Sequence, residues 1–559
     1  MKDKIIIYQV FTRLFGTPRR KNTPHGSIND NGCGKLSDFT AKALEEIKDL
    51  GVTHIWYTGI IEHATQTDHS AYGIAPDHPS VVKGKAGSPY AIKDYYDIDP
   101  DLAKQVGHRM KEFENLVKRT HAAGLKMVID FVPNHVARQY HSDAAPAGVQ
   151  DLGATDRTDH FFHRDNNFYY LPGTTLQAPI GAEGETYYEK PAKATGNDCF
   201  SPTPSVNDWY ETVKLNYGID YSDGSRHFDP IPSTWVKMRD ILLFWASKGV
   251  DAFRCDMAEM VPCEFWGWAI DQLKGWYPDI IFIAEVYNPQ EYRNYIHNGH
   301  FDYLYDKVGL YDTLRSVMGG QSASLITGSW QQVDDIHEHM LHFLENHDEQ
   351  RIASDFFAGS AEKGKPALLV SALLRTNPMM IYFGQELGER GMDEEGFSGR
   401  DGRTTIFDYW CVDTISRWRD KGTFNHVRLT AEERRLRDYY RQVLHLAREE
   451  EAFHEGTFFD LMYANYDNDA MDTNRQFAFV RQSGKELILV IAHFGDTEVE
   501  SSVRIPSELF LHYGITAKKQ SFNATDLLTG KKEAITFAPG QCVTTLLPPQ
   551  GGKLLKIKI

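Results

Sequence analysis

Cysteine is scarce and dispersed in this chain. Its six residues (Cys33, Cys199, Cys255, Cys263, Cys411 and Cys542) form no CxxC pair and no dense framework, which excludes a disulfide scaffold and favours free thiols in a reducing compartment. Positive charge is also in deficit: 60 Lys and Arg stand against 77 Asp and Glu, a formal net charge of -17. Phosphate backbones are bound by clustered Lys and Arg, so this balance argues against a nucleic-acid partner. No apolar run approaches the roughly 20 residues that a bilayer crossing needs, so no membrane partner is expected. The start, MKDKIIIYQV, passes directly into a strand-like run without an export signal. Cytoplasm is therefore expected for the chain as given, and a periplasmic or secreted location if a leader has been removed.

What is present is organised. At 559 residues the chain exceeds one ordinary hydrophobic core. Strand-like runs alternate with helical stretches, such as Leu36 to Leu50, Leu102 to Ala122 and Trp235 to Ser247, until about residue 450, the βαβ pattern of a parallel sheet. The alternation stops between 136 and 234, a segment rich in Gly, Pro, Asp, Asn and aromatic residues and far too long for a loop. Beyond 451 short alternating segments such as ELILVIAHF predict an antiparallel β-sandwich. The expected division is a barrel over 1–135 and 235–450, an inserted subdomain over 136–234, and a C-terminal β domain over 451–559.

Four segments carry the chemistry: VIDFVPNH (Val128 to His135), VDAFRCD (Val250 to Asp256), IIFIAE (Ile280 to Glu285) and HFLENHD (His342 to Asp348). A run such as Ile280 to Ala284 reads as a parallel strand covered on both faces, so the polar residue after it stands where the strand leaves the core. One such acid is ordinarily a helix cap; several strand ends presenting acids together point to the mouth of a barrel. Paired carboxyls at one mouth can divide acid–base and nucleophilic work, one protonating a leaving atom and the other capturing or stabilising the cationic carbon left behind. Arg254 lies two residues before Asp256 and therefore on the same side of the strand, where its guanidinium keeps that carboxylate ionised. Asp256 is the expected nucleophile. Glu285, after five apolar residues, is the expected general acid and base, because burial beside a second carboxylate favours a protonated start. Cys255, between Arg254 and Asp256, is expected to face the opposite side as a small core residue.

In this order the four segments resemble the signature regions of the α-amylase superfamily, glycoside hydrolase family 13. IYQVF (Ile7 to Phe11), GVTHIWYTGI (Gly51 to Ile60), SPYAIKDYYDIDP (Ser88 to Pro100) and NPMMIYFGQELG (Asn377 to Gly388) extend the likeness to nearly the whole chain. The resemblance implies a TIM (β/α)8 barrel, with an inserted subdomain after the third strand and a C-terminal antiparallel β domain. It further implies a retaining hydrolase of α-glucans or maltooligosaccharides acting by double displacement, with no organic cofactor.

By the same resemblance Asp348 is the third acid, and His135 and His347 donate hydrogen bonds to one sugar unit. Arg254 belongs to the same substrate-binding set, Asp130 braces Arg254 or the barrel, and Tyr90 stacks on the sugar that is cleaved. Asn134 matches a frequent ligand of a structural Ca2+ between barrel and insertion. HEHMLH (His337 to His342) lacks HExxH spacing and reads as a cluster of satisfied histidines.

Two departures stand out. Where many α-amylases carry Lys and His, three and four residues beyond the nucleophile, this chain has Glu259 and Met260, and weaker leaving-side binding with a preference for short maltooligosaccharides is expected. Ser88 replaces a His two residues before the stacking tyrosine. An α-glucan transferase, an α-glucosidase or a trehalose-forming relative is the alternative within the superfamily. A non-catalytic transporter subunit or a purely carbohydrate-binding protein is the alternative outside enzymes, and neither requires the three acids.

Overall fold

The computed structural model describes residues 4–18, 21–181, 184, 186–516 and 520–559. Eight strands close into a parallel barrel: β1 (Ile6–Phe11), β2 (His54–Thr58), β3 (Lys126–Phe131), β4 (Ala252–Cys255), β5 (Ile281–Ala284), β6 (Tyr303–Tyr305), β7 (Met340–Phe343) and β8 (Met379–Tyr382). Each strand pairs with the next in chain order, and β8 closes on β1. Successive residues point to opposite faces, which divides the strands between two cores. Ile7, Trp56, Val128, Ala252, Ile283, Leu341 and Met380 meet inside the barrel, whereas Ile129, Phe131, Phe253, Cys255 and Phe282 join the outer core beneath the helices. Cys255 thus faces away from the barrel interior, as the strand period requires, and burial pushes its thiol well above the ordinary range.

The helices begin later than the apolar periodicity suggests. The stretch from Leu36 opens as a 3-10 turn over Leu36–Asp38, and the α-helix Ala41–Asp49 starts only after Thr40, whose hydroxyl accepts from Ala43 N–H at 3.2 Å. The stretch from Leu102 likewise passes through short turns before the helix Arg109–Ala122, with Gly107 interrupting it. β6 is the barrel strand to which the sequence assigns no segment.

Among the described residues between β3 and the helix Ser233–Ser247, the inserted chain builds small antiparallel pairs, such as His135–Ala137 with Thr212–Lys214. The chain beyond 456 forms β9 (Thr457–Asp460), β10 (Gln476–Ser483), β11 (Glu486–His493), β12 (Val499–Arg504), β13 (Ser521–Asp526), β14 (Lys532–Thr536), β15 (Cys542–Leu547) and β16 (Gly551–Lys558). They make an antiparallel sheet in the order β9-β10-β11-β16-β13-β14 and a separate β12–β15 pair. Among the described residues no helix is long and apolar enough to cross a membrane.

The C-terminal sheet packs against the barrel helix Gly364–Leu373. Arg481 of β10, fully buried, donates to the carbonyls of Leu374 at 2.8 Å and Gly456 at 2.6 Å, which satisfies the end of that helix. Gly552 lets β16 approach: a Cβ there would lie 2.3 Å from Ile491 O and 2.6 Å from Leu369 Cδ1. Gly552→Ala should therefore destabilise the chain by about 1–3 kcal/mol through overpacking, read as a lowered melting temperature. An unchanged melting temperature would show that this contact relaxes freely.

Candidate active site

At the C-terminal ends of the barrel strands a cavity of about 360 Å³ opens, and Asp256, Glu285 and Asp348 all line it. Beneath them lies Arg254. Strand register sets Arg254 opposite Asp130 on β3 and Ile283 on β5, one inward layer above Ala252 and Val128. From there its Nη1 donates to Asp256 Oδ1 at 2.7 Å and to Asp130 Oδ1 at 3.4 Å, and its Nε donates to Tyr305 Oη at 3.1 Å. Its Nη2 lies 2.8 Å from Glu285 Oε2, an ion pair without the alignment of a hydrogen bond. The guanidinium also faces the rings of Trp56 and Tyr90, at 5.2 and 5.5 Å from their centroids. Burial alone would lower its pKa, but Glu285, Tyr305, Tyr90 and Asp256 hold it well above the ordinary arginine value.

The carboxyls respond to the same surroundings. Burial pushes Asp256 well above the ordinary carboxylate range; Arg254 opposes the shift, while Glu285, Asp130 and Asp348 add to it. The Arg254 contact is thus the interaction that favours an ionised Asp256. Burial likewise raises Asp130 to about 6 against Arg254 and the Trp56 Nε1–H bond of 2.9 Å. Asp348, whose side chain is 31 % exposed, is pushed up to about 7 by desolvation in the cleft and then by Glu285.

Glu285 is surrounded by donors rather than by the apolar pocket its sequence suggests. The Met257 N–H donates to its Oε2 at 2.9 Å, and the Tyr287 hydroxyl donates to its Oε1. Met257 reaches that position through a left-handed backbone, φ 43°, unusual for a non-glycine residue and placed beside Asp256. Tyr287 escaped the sequence reading. Its signal was the same spacing of two that joins Arg254 to Asp256.

The other expected site residues separate into two groups. Tyr90 and His135 line the cavity, together with Trp209, Phe397 and Phe407, which the sequence did not single out. His135 packs against Trp209 with ring centroids 5.2 Å apart; burial, then Lys214 and Lys83, lower its pKa to about 3, so it is neutral. Arg254 and His347 lie behind the wall and are not among the residues lining the cavity. The His347 ring nitrogens are engaged by Gln9 Nε2 at 2.9 Å and the Tyr90 hydroxyl at 2.5 Å, and its ring stacks on Tyr90. Burial, then Arg254, keep His347 neutral. Ser88 accepts from the Tyr90 N–H at 3.2 Å and so braces the tyrosine.

Asn134 does not fit the expected Ca2+. Its Oδ1 accepts from Lys214 Nζ at 2.7 Å, and its Nδ2 donates to Gly196 O at 2.8 Å. Lys214, 2 % exposed, also pairs with Asp198 at 2.6 Å. An ammonium on the chain itself therefore stands against the oxygen that a calcium ion would need. The corrected reading is a Lys214–Asn134–Asp198 bridge from the inserted segment to the end of β3.

Glu259 also departs from expectation. Its Oε2 accepts from the N–H groups of Tyr287 at 3.1 Å and Asn288 at 3.0 Å, so it clamps the loop that carries Tyr287. With Met260 it lines a neighbouring opening of about 780 Å³. His337, His339 and His342 each have Nδ1 on a backbone carbonyl, which satisfies that cluster as expected.

The raised Asp348 has a consequence for stability. A carboxyl whose folded pKa of about 7 exceeds its ordinary 3.8 favours folding fully below the lower value, and that contribution is lost as pH rises through the upper one. Asp348→Asn should therefore melt higher than the parent at about pH 8 and show no such gain at about pH 4. An equal difference at both pH values would remove ionisation as its cause.

The model of the alpha amylase catalytic domain matches residues 9–193 and 230–513. Alpha-amylase MalA of Haloarcula japonica is 26% identical over 397 residues, which cover 70% of this chain and 45% of that protein. Alpha-amylase 3 of Dictyoglomus thermophilum is 25% identical over 433 residues, covering 73% of this chain and 70% of its own. Among solved structures, a noncanonic maltogenic alpha-amylase from Thermotoga neapolitana superposes with a TM-score of 0.63 at 19% identity, covering 100% of this chain and 99% of that one. With its acids gathered at the mouth of a closed barrel and the family's catalytic-domain model matching most of its length, the chain belongs to the alpha-amylase family of glycoside hydrolases.

Proposed function

We propose that the chain hydrolyses α-glucosidic bonds of α-glucans or maltooligosaccharides by double displacement with retention. The observation that carries this reading is the single Arg254 guanidinium, 2.7 Å from Asp256 through one terminal nitrogen and 2.8 Å from Glu285 through the other. Two carboxylates held by one planar group are close neighbours, which favours the separation of about 5–5.5 Å of retaining enzymes over the wider spacing that admits a water.

Asp256 attacks the anomeric carbon as Glu285 delivers a proton to the departing glycosidic oxygen, giving a glycosyl-enzyme ester and a free sugar hydroxyl. Water then adds at the same carbon, Glu285 takes its proton, and Asp256 leaves as a carboxylate. The Tyr287 hydroxyl suits both stages, because it donates to ionised Glu285 and accepts from protonated Glu285. Asp348 faces the cavity as the third acid, Tyr90 offers a ring face to the sugar, and His135 contributes a neutral imidazole. Arg254 and His347 act as positioning residues: the first on the two reacting carboxylates, the second on Tyr90.

Asp256→Asn, Glu285→Gln and Asp348→Asn should each lower turnover by roughly three orders of magnitude or more with the circular dichroism unchanged. Products from starch, maltooligosaccharides, cyclodextrin, pullulan, sucrose and trehalose, followed by NMR, should appear first as the α-anomer. Initial β-anomer would overturn Asp256 as nucleophile, and transfer products in place of hydrolysis would favour a glucanotransferase.

The clamp made by Glu259 changes one expectation. Glu259→Lys removes the acceptor of two loop N–H groups and so loosens Tyr287 on Glu285. It should lower kcat on maltooligosaccharides of every length, about tenfold for each 1.4 kcal/mol of lost positioning. A selective gain in kcat/KM on long chains would instead place this residue in contact with the leaving-side sugar.

A further inference from the structure

Glu62 is a buried acid that the proposed chemistry leaves unused. It lies on the short strand Ile61–His63, antiparallel to Ile92–Ile98, is 1 % exposed, and has an Oε2 with no hydrogen-bond partner. Removing a carboxylate from water without a compensating partner is strongly unfavourable. Its neighbours worsen the position: Asp94 stands opposite it in the strand pair, and one carboxylate oxygen each of Asp97 and Asp143 lies within 4.8 Å of its own.

The positive charges nearby are already engaged. Arg109 pairs with Asp97 at 2.5 Å, and Lys93 pairs with Asp77 at 3.0 Å. Asp94 is spent on the inserted segment: it accepts from Ser142 Oγ at 2.6 Å and from the N–H groups of Asp143 at 2.9 Å and Ala144 at 3.1 Å. Those bonds pin the start of the inserted segment beside Glu62. A carboxylate oxygen from each of Glu62, Asp97 and Asp143 then lies within 4.8 Å of the other two. Ligands about 2.4 Å from one Ca2+ can stand up to about 4.8 Å apart, so the three oxygens can share such an ion.

We propose that Glu62, Asp97 and Asp143 form a binding site for a divalent cation of the Ca2+ class. It joins the segment after β2 to the start of the inserted subdomain and is separate from Asn134, where Lys214 stands. The donor set is all oxygen, which suits a hard cation rather than zinc or copper. Asp143 is exposed, so water reaches the ion from its side and completes the coordination. The ion supplies the partner that the Glu62 oxygen lacks.

The test is a Ca2+ titration of EDTA-treated, dialysed protein, followed by isothermal titration calorimetry and thermal melting, with Mg2+ in parallel. One equivalent of Ca2+ should bind and raise the melting temperature by several degrees, because an ion that binds only the folded state stabilises it by mass action. Glu62→Gln should abolish both the binding and the rise. Asp143→Asn, at an exposed position that preserves the fold, should weaken binding at least tenfold. Absence of Ca2+ binding to the parent protein would overturn the proposal and leave Glu62 holding a proton. Undiminished binding in both variants would overturn it equally, by placing the ion elsewhere.

Discussion

A buried guanidinium in a barrel interior is stable only if its charge and its donors are answered, and Arg254 is answered by four groups at once. Asp256, Glu285, Asp130 and Tyr305 come from β4 or the ends of β3, β5 and β6, so one cation ties four neighbouring segments of the barrel mouth together. The dependence is mutual. Without Arg254 three acids would share a low-dielectric cavity, and burial would leave them protonated; without the acids the guanidinium would be an unpaired internal charge. The aromatic faces of Trp56 and Tyr90 close the remaining sides. Catalytic geometry and barrel stability therefore rest on the same contacts, which is how a site rich in like charges persists in a folded chain.

The parts of this arrangement visible in the sequence are those governed by short periods. The spacing of two predicts that Arg254 and Asp256 share a side and that Cys255 faces the other way, and seven of the eight strands fall on the segments that carry the family resemblance. The exception is β6, three residues long and flanked by Asp302 and Asp306. It carries no apolar run because Tyr305 turns inward to serve Arg254. Side-chain environment was harder to read. The apolar run before Glu285 suggests a dry pocket, yet the donors around it come from Met257 and Tyr287, each placed by a loop whose turn is not written in periodicity. His347 was legible as part of a motif, but its position behind Tyr90 follows from Gln9, which lies 338 residues away in the chain.

Lys214 illustrates a second limit. Asn134 is compatible with a metal in any reading of the sequence, because an amide oxygen accepts equally from Ca2+ and from an ammonium. The choice is made by a residue from another strand: Lys214 pairs in register with His135, and Val213 with Val136, which brings its ammonium to the Asn134 oxygen. A covalently attached cation fixes the inserted segment to the barrel without dependence on ion concentration. Its cost is burial, which pulls the lysine below its ordinary pKa and makes Asp198 necessary as counter-charge.

These cases follow from one feature of the composition. The chain carries 17 more acids than bases, and several of its buried carboxylates share one basic partner or have none. At the barrel mouth one Arg254 serves several acids, and at the end of β3 Lys214 serves an amide and an acid. Around Glu62 the local bases are committed to Asp97 and Asp77, and the strand pairing that buries Glu62 also holds Asp94 close to it. A proton or an ion from solution must then supply the balance. A proton would neutralise Glu62 but leave Asp143 and Asp97 facing each other, whereas a divalent ion answers all three acids through one centre. The same electrostatic logic that gathers Asp256 and Glu285 around Arg254 thus favours a metal at Glu62, a buried carboxyl whose nearby bases are already committed.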